Sequence, residues 1–338
     1  MKNLDEKYMR MCFTLAKHGK NKVAPNPMVG CVVLDKNGNI VSKGYHKKYG
    51  QNHAERDALL KLKNKEANGG TIYVNLEPCS HYGTTPPCVD LVIEHKPARV
   101  VIGMKDVNPK VDGISKLKAA GIQVDFVLEK EAEFLNRRFI KTMTKKLPYV
   151  VLKTASTMDG KIAAKTGSSK WITSEKSREL VYKMRREFDC ILTSSNTVIA
   201  DNPSMSQTKW RCVLDKDLRT DKNSKIYSQS NTYIASRQNT PLKNGELDLE
   251  AVLRELYKLG IYSVFVECGG TLAGALLKDG LVDEIYQFIA PKILNDNNGI
   301  SCFNGDNINE ISEAKNLKIY EVKYLNPDIL IKAALSSF

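Results

Sequence analysis

The residues best suited to metal chemistry lie in two short segments near the N-terminus. The segment "NLEPCSHYGTTPPC" places Cys79 and Cys88 in turn-rich sequence, and "HAE" supplies His53 and Glu55 earlier in the chain. Two cysteines in this setting could form a disulfide, belong to a structural metal site or bind a catalytic metal. One imidazole and two thiolates favour a catalytic zinc site, because a structural zinc site needs a fourth protein ligand.

Glu55 is placed to move protons beside such a metal. It follows His53 by two residues at the start of a predicted helix, close to a metal-bound water without being a ligand. Zinc lowers the pKa of a bound water toward ~7. Attack of that water on an amino-bearing ring carbon needs a group that carries its proton to the ring and to the departing ammonia. The order H-x-E, P-C and C is typical of zinc deaminases that act on nucleobases.

Each of these residues has an ordinary interpretation when it is taken alone. His53 could be a surface histidine, Glu55 a first-turn acid, and the two cysteines small core residues. Their joint order favours the metal site, with proline before the first cysteine and the acid two residues after the histidine. His81, between the cysteines, is interpreted as facing a substrate. The remaining histidines are interpreted as ordinary: His18, His46 and His95.

Composition restricts the class of protein. The chain has 338 residues, 42% hydrophobic and 26% charged, which is typical of a globular protein with two domains. No apolar run approaches the ~20 residues that span a bilayer, and the N-terminal segment lacks the features of a signal peptide. We therefore predict a cytoplasmic protein with no membrane partner, in which the 8 cysteines are reduced.

The net charge of +13 raises the question of a nucleic-acid partner. The lysines are scattered along the chain, whereas a nucleic-acid surface needs clustered cations with interleaved aromatic residues. We predict no nucleic-acid partner. All 5 histidines lie at or before residue 95, so any second reaction must proceed without histidine.

Helices and strands alternate along the chain with short connections, which predicts a layered α/β fold. A helix that ends in basic residues precedes Pro148, so we predict domains over 1–145 and 148–338. In the second domain, "YSVFVECGGTLAGALL" predicts a strand, a glycine pair and a helix. Backbone N–H groups at such a helix start suit an anion, although G-x-G-x-x-G is absent and an ordinary tight turn explains the motif equally well.

Four longer motifs resemble one family, the bifunctional riboflavin biosynthesis deaminase/reductases: "APNPMVGCVV", "GYHKKYGQNHAERDAL", "NLEPCSHYGTTPPC" and "ILTSSNTVIADNPS". The eight-residue gap between the cysteines differs from the two-residue gap of nucleic-acid and nucleoside deaminases. The resemblance implies a cytidine-deaminase-like three-layer domain, with zinc bound by His53, Cys79 and Cys88 and with Glu55 as proton shuttle. It also implies hydrolytic deamination of 2,5-diamino-6-ribosylamino-4(3H)-pyrimidinone 5′-phosphate.

The same resemblance implies a second domain with the dihydrofolate reductase fold, which uses NADPH to reduce the ribosyl group of the deaminated product. It implies two sets of binding residues. The dinucleotide set is Ala155, Trp171, Thr197, Asp201, Gly269, Gly270, Thr271, Leu272, Ala273, Gly274 and Ala275. The substrate set is Ser169, Arg185, Met205, Thr208 and Glu267.

The chain departs from the family pattern in two places. After "DNPS" the family has an arginine that holds the substrate phosphate, whereas this chain has "MSQTKW", so Lys209 or Arg211 is the candidate replacement. The segment "KDVNPKVDGIS" lacks the usual Gly-Arg-Gly, which affects a loop of the deaminase domain or the contact between domains.

Two rival functions remain open at this point, and we expect a homo-oligomer in every case. One rival is a zinc deaminase that acts on nucleic acid, which leaves a full second α/β domain unexplained. The other is an active deaminase whose C-terminal domain binds ligands without catalysis. The second rival predicts no NADPH oxidation with the deaminated intermediate.

Overall fold

The computed structural model describes residues 2–63, 66–83, 85–228, 231–305 and 308–335. The chain divides into two compact units, with the division between Lys146 and Leu147. The outer ends of the two predicted domain ranges, residue 1 and residues 336–338, lie outside the described residues.

The first unit alternates helices and strands, as the sequence predicts. Its elements are α1 (Lys2–Lys17), β1 (Gly30–Leu34), β2 (Ile40–Tyr45), α2 (Ala54–Leu59), β3 (Thr71–Val74), α3 (Cys88–Glu94), β4 (Arg99–Ile102), α4 (Gly113–Ala119), β5 (Gln123–Phe126) and α5 (Glu129–Lys145). The strands form one sheet in the order β2-β1-β3-β4-β5. Strand β1 is antiparallel to both neighbours, and β3, β4 and β5 are parallel.

Two glycines show that helices cover both faces of this sheet. A Cβ atom on Gly30 would lie 2.2 Å from the carbonyl oxygen of Cys12 in α1, and one on Gly44 would lie 2.4 Å from that of Ala54 in α2. Gly44 pairs with Cys31, the residue after Gly30. Because successive strand residues point to opposite faces, α1 and α2 lie on opposite sides of the sheet. The predicted three-layer arrangement is confirmed.

The second unit is built on a larger sheet. Its elements are β6 (Tyr149–Thr157), β7 (Lys161–Ala163), α6 (Glu175–Arg185), β8 (Cys190–Ser194), α7 (Ser195–Asp201), β9 (Trp210–Leu214), β10 (Thr232–Ala235), β11 (Leu242–Lys243), β12 (Glu246–Leu247), α8 (Leu249–Lys258), β13 (Ser263–Glu267), α9 (Gly270–Lys278), β14 (Glu284–Ala290), β15 (Ile300–Ser301), β16 (Leu317–Tyr324) and β17 (Ile329–Leu335), with two short 3-10 turns at Lys225–Ser228 and Ile311–Glu313.

Eight strands of this unit form the main sheet, in the order β10-β9-β8-β13-β6-β14-β17-β16. The first six are parallel, and the last two pair antiparallel. The carboxyl ends of the parallel strands therefore lie along one edge, where ligands of open α/β sheets bind. The central strands are buried because helices pack on their apolar residues, as in other parallel sheets.

The predicted alternation of helices and strands is confirmed, as are the helix before Pro148 and the strand, glycine pair and helix of "YSVFVECGGTLAGALL". The sequence analysis missed the two small ribbons, β7 with β15 and β11 with β12. Strands of two or three residues are too short to show the alternation by which a strand is recognised.

Candidate active sites

Three elements of the first unit bring His53, Cys79 and Cys88 together. His53 stands immediately before α2 in extended conformation, and its carbonyl oxygen accepts a hydrogen bond of 2.8 Å from the Asp57 N–H. Cys79 lies in the turn that follows β3, and Cys88 is the first residue of α3. Helix α3 begins directly after Pro87. Proline has no backbone N–H, and at a helix start this costs nothing because an N–H there would have no partner within the helix.

The spacing of these three side chains matches a tetrahedral zinc site. Nδ1 of His53 lies 3.5 Å from Sγ of Cys79 and 3.5 Å from Sγ of Cys88. Zn–N and Zn–S bonds of about 2.1 and 2.3 Å at a tetrahedral angle give an N to S separation of about 3.6 Å, close to both distances. Among the described residues, this is the only group of three potential metal ligands whose ligand atoms all lie within 4.8 Å of one another. Three ligands leave one tetrahedral position for water or substrate.

The electrostatics of the cluster favour thiolate at Cys79. A hydrogen bond from the Cys88 side chain, with one from His53, lowers the pKa of Cys79 to about 4 even though burial opposes the shift. The backbone N–H of Cys88 also donates to Sγ of Cys79 at 3.3 Å. The thiolate is the form in which cysteine binds metal, so the site is prepared for a cation.

Glu55 lies in the first turn of α2 and is only 3% exposed. Burial, together with the negative charge of Cys79, raises the pKa of Glu55 to about 7. A carboxyl group with such a pKa can both accept and release a proton near neutral pH. Glu55 lies outside the cluster of ligand atoms, as a proton shuttle must.

His46, which the sequence analysis interprets as ordinary, packs directly behind the predicted metal ligand. It is 1% exposed, and its ring meets the His53 ring edge-on, with 5.2 Å between centroids. Nδ1 lies 3.0 Å from the Asn52 carbonyl oxygen and Nε2 lies 3.3 Å from the Asn26 amide nitrogen. These partners fit a neutral His46 with its proton on Nδ1, and burial lowers its pKa accordingly. No local pattern marks this residue, because its partners come from distant loops.

The segment "KDVNPKVDGIS", which departs from the family pattern, lies against the turn that carries Cys79. Glu77, 2% exposed, accepts hydrogen bonds from the N–H of Asp106 at 3.1 Å and from the N–H of Ile114 at 3.0 Å. Oγ of Ser80 accepts a further bond of 2.7 Å from the Asp112 N–H. The altered segment is therefore part of the first unit's candidate site.

In the second unit, Ser169 and Trp171 line a cleft of about 320 Å³ between the segment after β7 and residues 292–294. The Trp171 carbonyl oxygen accepts a bond of 2.7 Å from Lys292, and the Arg178 guanidinium stacks 4.3 Å from the centre of the Trp171 ring. The indole is 61% exposed. A fixed but accessible aromatic ring at this edge suits contact with a cofactor ring.

Two other predicted dinucleotide contacts lie at opposite ends of α7. Thr197 is in its first turn, where the Thr197 N–H donates to Oγ of Ser194 at 3.4 Å. Asp201 ends the helix, and its carboxylate lies 3.5 Å from Nζ of Lys170. This exposed ion pair connects α7 to the segment that carries Trp171. Ala155 is half-buried on β6, paired with Phe288 of β14.

The predicted glycine segment 269–275 divides into two groups. Gly269 faces open space, because a Cβ atom there would meet nothing within 4 Å. Gly270 and Gly274 instead pack under residues 301–304, where a Cβ on Gly274 would lie 1.4 Å from the carbonyl oxygen of Asn304. Ala273 is 1% exposed and belongs to the core, Thr271 is exposed, and Leu272 and Ala275 are half-buried. The start of α9 at Gly269 is thus the part of the segment that fits a pyrophosphate.

Arg185 and Glu267, which the resemblance assigns to substrate, form a partly buried pair. Nε and Nη2 of Arg185 donate to the two carboxylate oxygens of Glu267 at 2.5 and 3.0 Å. Lys153 completes the group, with Nζ 3.7 Å from the carboxylate, and Gln207 accepts from Nη1 of Arg185 at 3.2 Å. Burial alone would raise the pKa of Glu267, but the charges of Lys153 and Arg185 hold it below its usual range.

Lys153 and Gln207 are residues that the sequence analysis missed. The one signal for Lys153 is a lysine inside the otherwise apolar strand "YVVLKTA". A lysine there needs a carboxylate partner, but the sequence does not say which. Gln207 carries no signal at all.

The segment "MSQTKW" contains two further predicted substrate contacts. Met205 is 4% exposed and packs with Ile191 and Val198. Oγ1 of Thr208 donates to the Trp210 carbonyl oxygen at 2.7 Å. No finding tests either assignment, and both remain predictions.

Arg211 is the wrong candidate for the missing phosphate-binding arginine. Its side chain is 2% exposed, and it donates to the Thr208 carbonyl oxygen at 3.2 Å and to Oγ1 of Thr232 at 3.3 Å. A side chain that is buried and bonded in this way stabilises the sheet and is not accessible to a ligand. Lys209, which is exposed, remains the candidate.

Within the described ranges, the structure contains no helix that is both long and apolar enough to cross a membrane.

Two protein-family models match the chain. The cytidine and deoxycytidylate deaminase zinc-binding region matches residues 2–104, and the RibD C-terminal domain matches residues 148–331. The first match covers all three predicted metal ligands. The second covers every residue of the predicted dinucleotide and substrate sets.

Full-length relatives show the same two-part organisation. The riboflavin biosynthesis protein RibD of Escherichia coli is 39% identical over 97% of this chain and 98% of the relative. That of Aquifex aeolicus is 38% identical over 98% of both. The solved structure of Acinetobacter baumannii RibD has a TM-score of 0.86 at 33% identity over 100% of both chains.

A deaminase/reductase structure from Thermotoga maritima has a TM-score of 0.85 at 34% identity over 99% of both chains. The predicted fold class, a cytidine-deaminase-like domain followed by a dihydrofolate-reductase-like α/β domain, is confirmed by these matches together with the sheet topologies. The chain therefore belongs to the RibD family of bifunctional riboflavin biosynthesis enzymes, with a zinc-binding deaminase domain followed by a reductase domain.

Proposed function

We propose that this chain catalyses two consecutive steps of riboflavin synthesis. The first is hydrolytic deamination of 2,5-diamino-6-ribosylamino-4(3H)-pyrimidinone 5′-phosphate. The second is NADPH-dependent reduction of the ribosyl group of 5-amino-6-(5-phosphoribosylamino)uracil to ribityl. The observation that carries the proposal is the placement of Nδ1 of His53 at 3.5 Å from both Cys79 and Cys88, with Glu55 buried in the next helical turn.

In the deaminase domain, His53, Cys79 and Cys88 would hold zinc, and their donor set and spacing fit that ion. Zinc, when bound, supplies a water with a pKa near ~7. Glu55 takes one proton from the attacking water and delivers it to the pyrimidine ring nitrogen. It then takes the second proton from the hydroxyl group of the adduct and delivers it to the amino group, which leaves as ammonia when the C–N bond breaks. Its pKa of about 7, raised by burial, suits both directions of transfer.

His81 supports a polar substrate at this site. His81 lies in the loop between Cys79 and Cys88. Its Nδ1 atom is buried and has no hydrogen-bond partner among the described residues. A buried ring nitrogen without a partner is costly, and a bound pyrimidine could satisfy it. We assign His81 to substrate contact.

In the reductase domain, NADPH supplies a hydride to C1′ of the ring-opened ribose, which is an imine carbon in the substrate. The chain's part is to position the two molecules against each other. Trp171 and the start of α9 at Gly269 fit the nicotinamide and the pyrophosphate. Glu267 fixes the Arg185 guanidinium, and Lys153 keeps that carboxylate ionised.

Changing Glu267 to glutamine is expected to impair reduction without affecting deamination. The amide would lose its charge-assisted pair with Arg185 and leave the buried Lys153 ammonium without a counter-charge, a cost of about 3 kcal/mol or more. We expect NADPH oxidation with the deaminated intermediate to fall by roughly 10²-fold, and ammonia release from the diaminopyrimidine phosphate to stay near the wild-type rate.

The matched control is Glu255→Gln, which removes an exposed carboxylate paired with Lys258 on α8. Exposed pairs contribute little, so reduction should be unchanged in this variant. Normal NADPH oxidation by Glu267→Gln would show that the triad with Lys153 and Arg185 does not serve the reaction.

The rival with a non-catalytic second domain is tested with the wild-type protein and the deaminated intermediate. The proposal predicts NADPH oxidation in proportion to intermediate consumed, whereas a binding module would give none. Deamination of single-stranded DNA or tRNA without ammonia release from the pyrimidine phosphate would support the nucleic-acid rival instead.

We also propose a homo-oligomer in the cytoplasm. The edge strand β16 exposes Ile319, Val322 and Tyr324 at 56%, 62% and 69%, and pairing with a second copy would cover them. All 8 cysteines are free, as expected in a reducing compartment. Sedimentation should give a mass corresponding to two or more chains of 37.8 kDa, and the mass of one chain would contradict the proposal.

A further inference from the structure

We propose that Arg219 binds the 2′-phosphate of NADPH and thereby makes the reductase domain select NADPH over NADH. The inference rests on the proposed reductase function of the second unit, and it concerns a residue outside both predicted binding sets. Arginine is the residue that accommodates this phosphate in dinucleotide-binding folds, because its planar fork donates two hydrogen bonds to one phosphate.

The sheet places Arg219 beside the predicted dinucleotide segments. Strand β8 lies between β13 and β9, with Leu192 paired to Val266 and Ser194 paired to Leu214. The segments that follow these three strands therefore leave the same edge side by side. They are the glycine segment, the start of α7 and the loop with Arg219.

The distances across this edge suit one dinucleotide. Neighbouring strands are about 5 Å apart, so the loop after β9 begins roughly 10 Å from the glycine segment after β13. A pyrophosphate at Gly269 would then extend its adenosine ribose past Thr197 toward Arg219. The 2′-phosphate is carried on that ribose.

The loop fixes the backbone of Arg219 in a turn closed by Asp215. The Asp215 carboxylate accepts bonds of 2.9 Å from the N–H of Arg219 and 2.9 Å from the N–H of Thr220, and a bond of 2.7 Å from the Thr220 hydroxyl. Asp215 is 0% exposed. The negative charge of Asp215 is therefore stabilised by the backbone and hydroxyl groups of the turn that contains Arg219.

The guanidinium itself is anchored on one side only. Nη2 donates to Oγ of Ser195 at 2.8 Å and to Oδ1 of Asn196 at 2.6 Å, both neutral groups. Across the described ranges, no carboxylate lies within ion-pair distance of Arg219, and its Nε and Nη1 make no hydrogen bond to protein. The side chain is exposed. The nearby charge is that of Asp215, whose pKa Arg219 helps to lower but whose carboxylate bonds to the turn and not to the guanidinium. An oriented guanidinium with a free edge is prepared for an external anion.

Two neighbouring cations, Lys216 and Arg237, differ from Arg219 because each is paired with a carboxylate. The Lys216 ammonium is held by the Gly245 carbonyl oxygen at 3.0 Å and by Glu246 at 2.7 Å. The Arg237 guanidinium is paired with Asp217. Because their charges are already compensated, Arg219 is the cation of this group that best fits the phosphate.

Calorimetric titration of Arg219→Ala with NADPH and NADH tests the proposal without relying on turnover. We expect the Kd for NADPH to rise on the order of 10- to 100-fold, as for loss of a charge-assisted pair, and the Kd for NADH to stay nearly constant. The Kd of Arg219→Ala for adenosine 2′,5′-bisphosphate should rise by a factor similar to that for NADPH, whereas the Kd for ADP should not change. Arg219→Lys keeps the charge but lacks the planar guanidinium. Its Kd for NADPH should lie between those of the wild type and Arg219→Ala.

The control is Arg254→Ala, which removes the same charge from α8, where Arg254 is paired with Glu250. It should keep the wild-type preference for NADPH. An unchanged NADPH to NADH affinity ratio in both folded Arg219 variants would overturn the inference while leaving the reductase proposal intact. A wild-type protein that binds neither dinucleotide would overturn the reductase proposal, and this inference with it.

Discussion

Replacing Glu55 with glutamine is expected to lower ammonia release by roughly 10²- to 10⁴-fold, the usual contribution of a general acid and base. Glutamine has the same shape but cannot accept the proton of the attacking water. Burial already favours the neutral form of this side chain, so the neutral amide should not destabilise the domain. Ammonia release from the diaminopyrimidine phosphate measures the effect, and zinc content measured by elemental analysis should stay at wild-type level.

The matched control is Asp57→Asn, two residues further along α2. Asp57, whose side chain is 11% exposed and outside the metal cluster, forms ion pairs with Lys47 at 2.9 Å and Lys61 at 3.0 Å. Its replacement should leave most deamination intact. If Glu55→Gln turned over as fast as this control, Glu55 would have no role as proton shuttle.

Changing Cys88 to alanine is expected to remove most of the bound zinc and, with it, the deaminase activity. Two protein ligands, His53 and Cys79, would remain of the three that form the cluster. Catalytic zinc sites use three protein ligands. Elemental analysis of the purified variant should give far less than one zinc per chain, and NADPH oxidation with the deaminated intermediate should persist.

Cys31→Ala is the control for this variant. Cys31 is 0% exposed on β1 of the same domain, so the same atoms are removed from a buried position outside the cluster. That variant should keep its zinc, although it should lose a little stability to the small cavity. Equal zinc content in both variants would exclude Cys88 as a ligand.

The grouping of His53, Cys79 and Cys88 could be predicted because these residues occupy positions that local structure determines. His53 precedes a helix, Cys88 begins one, and Cys79 follows a buried strand, so each could be placed from its neighbours. The long strands and helices were predictable for the same reason, since their apolar periodicity extends over several residues.

The interactions that the sequence could not predict join distant segments. His46 meets Asn26 and His53 through loops, and Lys153 meets Glu267 across neighbouring parallel strands. Periodicity describes one element at a time and does not say which elements become neighbours. The pairing of β6 with β13 had to be seen before Lys153 could be assigned to the Arg185–Glu267 pair.

Side-chain direction was the other unpredictable feature. Met205 lies in a segment read as substrate-binding, yet its side chain joins the core. Arg211 lies close to the position of a phosphate-binding arginine, yet β9 turns it into the protein. The sequence predicts Gly274 to be part of a dinucleotide-binding loop. In the structure it is a glycine because the backbone of Asn304 packs too closely for any side chain.

The central claim is that one chain performs deamination and then reduction, and a coupled assay in one tube tests it most directly. The wild-type protein is given the diaminopyrimidine phosphate and NADPH, and ammonia release and NADPH loss are followed together. We predict that ammonia appears first and that NADPH loss follows and approaches the same amount. Glu55→Gln should abolish both signals, and adding the deaminated intermediate should then restore NADPH loss alone. Ammonia release without NADPH loss, or NADPH loss that precedes ammonia, would contradict the account.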